Sequence, residues 1–368
     1  MPNQNFLRPT WAEIKLPALR NNLLKIQDII GPSTKVMFVV KADAYGHGAA
    51  KVAGFAEREK LAWGFGVSSV EEGAVLRGAG IVSPILILGG LYPFNSFVEA
   101  INLDLMVTIS SLDAARQVIE ASRSLGKKAI CHIKLETGMG RIGARKPSVI
   151  KIFEELSGSR NVVIGGLYTH LACADSDPEF TAKQLGYFAE TAGELAKYGV
   201  NGVIRHAANS AGLVNYPGSR WEMVRAGLAA YGLMEGFEPV LSWKTKIIFI
   251  KTVREGAYIS YGKSFKAPRP MKVATIPVGY GDGYVRRFSN KAYVLVAGRK
   301  CPVIGNVTMD MTIIDVTDVG DSGVGSDVVL IGRQGGEEVG ARELAELAGT
   351  IPYEVVTLIT SRVPRIHL

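Results

Sequence analysis

The sequence has little cysteine, no long apolar run and no low-complexity stretch, and each absence excludes something. Its three cysteines, Cys131, Cys173 and Cys301, are odd in number, widely spaced and without a Cys-x-x-Cys pair. Neither a disulfide framework nor a thiolate metal site follows from that pattern, and all three read as small buried apolar residues. No run is long enough to span a bilayer, and the first residues, Met1-Pro2-Asn3-Gln4-Asn5, carry no apolar signal region. A soluble, cytoplasmic protein is expected. The formal charge of +8 is spread among interspersed acidic and basic residues, with no basic run and no interleaved aromatics. A nucleic-acid partner is therefore not indicated, whereas attraction of small anions is compatible with the balance.

What is present is 47% hydrophobic residues in 368, enough for a large core and two domains. Arg8 to Ile14 reads as a short strand ahead of a helix from Leu16 to Ile30 that Gly31-Pro32 ends. Strand-like runs then recur at Lys35 to Lys41, Ala62 to Val67, Pro84 to Leu88 and Leu105 to Ile109. Four more follow at Ala129 to Leu135, Val162 to Thr169, Gly202 to His206 and Met223 to Leu228. Helical stretches such as Ser69 to Gly78, Ser111 to Leu125, Pro147 to Leu156 and Pro178 to Tyr198 separate them. This alternation predicts an α/β fold, a parallel (β/α)8 barrel of TIM type over residues 15–241, with polar residues at the strand ends where such barrels place their chemistry. An open doubly wound sheet is the alternative.

After about Leu241 the texture changes to short strands and glycine-rich turns: Ser242 to Lys251, Met271 to Pro277, Lys291 to Val296, Thr312 to Val316 and Asp327 to Ile331, with one helix near Ala341 to Gly349. A mainly β second domain over residues 242–368 is expected. The segment 1–14, with its strand near Trp11, is expected to pack with it.

The stretch Val36-Met37-Phe38-Val39-Val40-Lys41 reads as a buried strand ending on a lysine, followed by the turn residues Gly46 and Gly48 and by Tyr45. A lysine delivered to an enclosed place is paired, snorkelled to water, or made to lose its proton and react. Further along, Lys134-Leu135-Glu136-Thr137-Gly138-Met139-Gly140-Arg141-Ile142-Gly143 contains a formal G-x-G-x-x-G. No helix opens directly behind it, since Arg145-Lys146-Pro147 intervenes, so a dinucleotide fingerprint is disfavoured. Tyr168-Thr169-His170 ends another strand in an imidazole, His206-Ala207-Ala208-Asn209-Ser210 supplies a hydroxyl and amides at a helix start, and Arg225-Ala226-Gly227-Leu228 puts an arginine before small residues.

In sequence and order these segments resemble the alanine racemases, pyridoxal-phosphate enzymes, from Trp11 to Arg365. The resemblance implies that Lys41 carries the cofactor as a Schiff base and, with Tyr261 of the partner subunit, serves as one of two acid/base groups on opposite substrate faces. It implies a homodimer with shared active sites, making D-alanine from L-alanine for the cell wall. Arg141 is then the contact to the cofactor's phenolic oxygen and the substrate carboxylate, and Lys134 matches a lysine often carried as a carbamate. His170 is implied to hydrogen-bond Arg225, which faces the pyridine nitrogen. Tyr45, Asn209, Ser210, Gly227, Leu228 and Tyr353 are implied to bind the phosphate end.

In the second domain the segments around Ser260-Tyr261-Gly262, Gly279-Tyr280-Gly281-Asp282, Gly305-Asn306-Val307-Thr308-Met309 and Pro352-Tyr353 match as well. Met309 belongs with the substrate through its backbone. Asp175, Tyr280, Arg286, Asn306 and Tyr353 correspond to an entrance corridor. Asn306 departs from the family, which often has arginine there, and Thr308 stands where several members have cysteine; substrate breadth depends on such changes. A racemase of broader amino-acid range, acting on serine or basic amino acids, is one alternative. A metal-dependent barrel hydrolase using His132, His170 and His206 is another, disfavoured because those residues do not make a complete metal site, and no metal is expected. A carrier that only binds pyridoxal phosphate is the non-enzymatic reading.

Overall fold

The computed structural model describes residues 7–198 and 202–368. The chain divides into two compact units. One comprises Arg20–Ala44 and Ala49–Ala230, and the other Met1–Leu19, Tyr45–Gly48 and Tyr231–Leu368. Residues 1–6 of the amino-terminal segment lie outside the described residues.

The first unit holds eight parallel strands, β2 (Lys35–Val39), β3 (Gly64–Val67), β4 (Ile85–Ile87), β5 (Val107–Ile109), β6 (Ala129–Lys134), β7 (Val162–Tyr168), β8 (Ile204–His206) and β9 (Met223–Ala226). They pair in the orders β4-β3-β2-β9 and β5-β6-β7-β8, and a parallel bridge between Leu86 and Met106 joins β4 to the stretch leading into β5. Strands β3, β4 and β5 are buried throughout, as expected where helices cover a parallel sheet. Met37, Leu86, Met106 and Met223 meet in one core cluster, against which Trp63, Leu88 and Ile204 pack. Helices follow the strands, and four of their starts are fixed by a side-chain cap. Ser69 accepts from Glu72 N, Ser111 from Ala114 N, Asp177 from Phe180 N and Asn209 from Gly212 N, each satisfying an amide the helix cannot. The eight strands expected from the alternation are all present, to within about two residues at their ends.

The second unit contains a sheet in the order Arg299–Pro302, Tyr293–Val296, Asp327–Gln334, Leu241–Lys246, β1 (Thr10–Ile14), Arg365–His367. The early strand β1 runs antiparallel to Leu241–Lys246, Trp11 facing Lys244, and parallel to Arg365–His367, Ala12 facing Arg365. A smaller sheet of Phe249–Val253, Met271–Ile276 and Thr312–Asp315 covers a cluster of Ile259, Ala267, Met271, Val273 and Ile304. The run from Ser242 to Lys251, expected as one strand, is two. It breaks at Ile247, whose buried side chain and N–H bond to Ser326 O carry the chain from one sheet to the other without a glycine or proline to mark the place. No helix among the described residues is long and apolar enough to cross a membrane.

Candidate active site

Lys41 follows the C-terminal end of β2, and the backbone there departs from the simple strand end that the apolar run suggests. The strand stops at Val39, and Lys41 opens a helical turn, Lys41–Gly46. Ala42, Asp43, Ala44 and Tyr45 have φ of 51°, 50°, 55° and 54°, so this turn is left-handed through four residues that carry Cβ atoms. Such a conformation costs about 1–2 kcal/mol per residue, and side chains hold it in place. Glu72 accepts from Ala42 N at 2.7 Å through one carboxylate oxygen and from Ser68 N and Oγ through the other, while Asp43 accepts from Ala49 N at 2.7 Å. Burial depresses the Lys41 ammonium, and the Arg141 charge lowers it further, against a smaller opposing pull from Glu72. An amine in that setting is more readily freed of its proton.

Arg225, at the C-terminal end of β9, is only 3% exposed. Its Nη1 donates to His206 Nδ1 at 2.9 Å and His206 O at 3.0 Å, and Nη2 donates to Thr169 O at 2.7 Å and Ala207 O at 2.9 Å. His170 Nδ1 lies 3.5 Å from Nη2, a long and weak contact. Burial lowers the guanidinium to about 10, which still leaves it charged at neutral pH. Burial first and the Arg225 charge second hold His170 and His206 well below the ordinary histidine range, so both are neutral.

Lys134 ends β6 and is 3% exposed, its Nζ 5.4 Å from the Tyr168 ring centre. Burial, then Arg225, then Arg141 lower it to about 7. Behind it the loop turns on Glu136, whose carboxylate accepts from Gly138 N and Gly140 N at 2.5 and 3.0 Å. Gly143 has φ of 145°, and a Cβ there would come within 2.9 Å of Glu136 N. The next helix begins only at Lys146, as the spacing suggested, and Arg141 is exposed on this loop. Ser210 Oγ accepts from Gly227 N at 3.0 Å and Ala229 N at 3.2 Å, drawing two backbone amides to one point. Asn209 caps the helix Ser210–Asn215 and donates to Leu171 O. Leu228 is half-buried; Asp175 is exposed and accepts from Ser176 Oγ.

In the other unit Tyr261 is 70% exposed, between Ser260 at φ 64° and Gly262 at φ 68°. Asn306 Nδ2 donates to Tyr261 O at 2.8 Å. Tyr280 and Met309, both exposed, sit on loops joined by Tyr280 N to Thr308 O and Gly281 N to Met309 O. Arg286 is exposed on the short turn Arg286–Phe288. Tyr353 lies in the first turn of the helix Pro352–Thr357, and the Tyr45 ring is 5.0 Å from that of Tyr231. Lys41, Lys134, Arg141, His170, Asn209, Ser210, Arg225, Gly227, Leu228 and Asp175 thus belong to the barrel unit. Tyr45, Tyr261, Tyr280, Arg286, Asn306, Met309 and Tyr353 belong to the other.

Two residues escaped the sequence reading. Glu72 was hidden because an acid three residues past Ser69 looks like an ordinary helix cap. Tyr168, stacked on His206 at 4.6 Å and bonded to Thr108 Oγ1 at 2.7 Å, reads in sequence as core. The histidines considered for a metal instead bond one another and a guanidinium, since both His206 ring nitrogens are occupied by His132 and Arg225.

Models of the alanine racemase N-terminal domain and C-terminal domain match residues 14–235 and 240–367. The chain belongs to the alanine racemase family. An alanine racemase of Symbiobacterium thermophilum is 44% identical over 98% of this chain and 97% of the relative, and one of Halothermothrix orenii 41% over 99% and 98%. Among solved structures, alanine racemase from Bacillus anthracis with bound L-Ala-P superposes with a TM-score of 0.92 at 36% identity, covering 99% of this chain and 96% of the other. That of Clostridium difficile gives 0.92 at 36%, over 98% and 96%. Membership in this family makes the chain an isomerase and fixes the barrel plus β-domain architecture as the family's own.

Proposed function

We propose that the protein interconverts L-alanine and D-alanine with pyridoxal phosphate, as a homodimer in the cytoplasm, and that the D-alanine supplies peptidoglycan. The observation that carries this reading is the Lys41 amine, set just beyond a barrel strand with burial and Arg141 both easing loss of its proton. The polar groups at the ends of the barrel strands suit the group. Ser210, with the Gly227 and Ala229 amides, Asn209 and Leu228 would receive the phosphate, together with Tyr45 and Tyr353. Arg225 would face the ring nitrogen and Arg141 the phenolic oxygen. When bound, pyridoxal phosphate supplies an electron sink that acidifies the substrate α-hydrogen.

The remaining work falls to the chain's own residues. Lys41 takes or returns the α-proton on one face of the planar carbon, and the partner subunit's Tyr261 does so on the other. One base alone would tend to return the proton to the face it left; two on opposite faces invert the centre. Arg225 keeps its proton and would leave a ring nitrogen set against it without one, so the bound group would supply a weaker electron sink, which favours simple return of the proton over transamination. Arg141 and the backbone of the partner subunit's Met309 hold the substrate carboxylate. Lys134, near neutrality, has an uncharged amine to take up carbon dioxide as a carbamate, whose negative charge would orient Arg141. Asp175, Tyr280, Arg286, Asn306 and Tyr353 form the entrance.

The test is to add pyridoxal phosphate to purified protein, record the near-ultraviolet and visible spectrum, and follow L-alanine by chiral chromatography with Lys41→Ala alongside. A lysine-dependent band with D-alanine formation is expected. A band without racemisation of alanine moves the substrate to another amino acid, and no band removes the cofactor.

A further inference from the structure

The buried histidines of β6 and β8 have no part in the proton transfers above, yet they stand in line behind Arg225. Arg225 Nη1 is 2.9 Å from His206 Nδ1, and His206 Nε2 is 2.9 Å from His132 Nδ1. His132 and His206 are each 0% exposed. A guanidinium offers only donors, so a line of neutral rings has one consistent proton order. Arg225 donates and His206 Nδ1 accepts; His206 then carries its proton on Nε2 and donates to His132 Nδ1, which leaves the His132 proton on Nε2. That last atom is buried without a hydrogen-bond partner, the end of the line. A doubly protonated ring would set a second buried cation against the guanidinium, and burial together with Arg225 lowers His132 to about 3.

We infer that His132 is a positioning residue: by accepting from His206 Nε2–H it holds His206 in the tautomer that accepts from Arg225, and so fixes which N–H of the guanidinium remains for a ligand. Of the five N–H groups of an arginine, the four on Nη1 and Nη2 meet His206 Nδ1, His206 O, Thr169 O and Ala207 O. Nε–H makes no hydrogen bond among the described residues, and it is the donor left over. If His132 offered no acceptor, the buried His206 Nε2–H would be stranded. Moving its proton to Nδ1 would then turn an N–H against Arg225 Nη1–H and break the line.

The fold makes room for this arrangement. Gly165 and Gly166 lie beside the His132 ring on β7, at an irregularity in the β6–β7 register between Cys131 and His132. A Cβ on Gly166 would come 2.3 Å from His132 Nδ1, and one on Gly165 3.3 Å from Nε2. Tyr168 lies flat on His206, their planes 2° apart, and fixes the ring in which the tautomer is read. What Arg225 does for the cofactor rests on the function proposed above; the tautomers do not, so the two can fail separately.

The experiment is long-range 1H–15N NMR on histidine-labelled protein, with and without added pyridoxal phosphate. Five histidines make the spectrum tractable, with assignment by substitution at His132 and His206. His132→Leu removes the acceptor, and His132→Asn restores one near the Nδ1 position. The expected wild-type pattern is neutral His132 and His206, both protonated on Nε2, from about pH 6 to about pH 8. In His132→Leu the His206 Nδ1 signal should move toward the protonated form, with kcat down about tenfold and KM within about twofold; His132→Asn should keep the wild-type pattern. A proton on His132 Nδ1 in the wild type overturns the inference, as does an unchanged His206 in His132→Leu. If His132→Leu fails to fold, the wild-type tautomers and His132→Asn still decide.

Discussion

The side-chain amide of Asn306 donates a 2.8 Å hydrogen bond to the backbone carbonyl of Tyr261, and Ser260 Oγ donates at 2.6 Å to the carbonyl of Asn306. The two loops are tied where Ser260, Gly262 and Lys263 all have positive φ. At 70% exposure the Tyr261 ring has little packing of its own, so the backbone must aim it. A short amide does this at a position where an arginine is common in the family. Asn306→Ala removes one neutral bond, worth about 1 kcal/mol, and should lower kcat severalfold. Asn306→Asp, which keeps the shape but loses the donor, should do the same. Wild-type kcat in both variants would show that the tie does not aim the tyrosine.

Lys41 and Tyr261 should separate by direction. Lys41→Ala abolishes racemisation from either enantiomer. Tyr261→Phe keeps one base and should slow conversion from the L side preferentially, by about 10² or more, the usual scale for a positioned acid or base. Exchange of the α-hydrogen with deuterium, started separately from L- and D-alanine, reads each face. Equal loss of exchange from both enantiomers in Tyr261→Phe would contradict the assigned faces.

The candidate residues of the barrel stand out in the chain for a simple reason. A barrel puts its chemistry where apolar runs stop, so Lys41, Lys134, His170 and Arg225 each announce themselves as a charged or titratable residue after a strand. The strand β1 was legible as a partner of the β domain, since it precedes the first helix. What stayed hidden is set by tertiary contact. The left-handed turn after Lys41 contains Ala42, Asp43 and Ala44, which prefer other conformations, and depends on Glu72, from the helix Val70–Gly78 beyond β3, to hold it. Arg299–Pro302 and Arg365–His367 are strands by pairing, not by pattern, carrying arginine, lysine and proline in runs of three or four residues. The line from His132 to Arg225 joins three strands, His132 standing 74 residues before His206 and His206 19 before Arg225. Its one local signal was the pair Gly165-Gly166 inside a strand, where glycine often marks close approach.

Ser210 gathers the Gly227 and Ala229 amides on one hydroxyl oxygen. Ser210→Ala deletes that oxygen and one donor for an incoming phosphate, an interaction with a charged group worth about 1.5–3 kcal/mol. Affinity for pyridoxal phosphate should fall at least about tenfold while kcat at saturating cofactor changes little. Titration of the cofactor band measures the first, and steady-state kinetics the second. Unchanged affinity would remove Ser210 from the phosphate site.

Lys134 makes stability depend on pH in a direction that can be worked out. Its proton affinity falls from the ordinary 10.5 to about 7 in the folded chain, mainly by burial and then by the Arg225 and Arg141 charges. Between those values the unfolded chain holds a proton at this lysine that the folded chain has released. Stability contributed by the site therefore rises with pH across that window, and below about 7 the buried ammonium costs its full amount. Lys134→Met, similar in length and uncharged, removes the cost. In carbon-dioxide-free buffer the variant should exceed the wild type in unfolding free energy by on the order of a few kcal/mol below neutrality. The gap should shrink steadily as pH is raised toward the ordinary lysine range. Denaturant unfolding at several pH values measures it, and a gap constant with pH would mean that Lys134 titrates as an exposed lysine does.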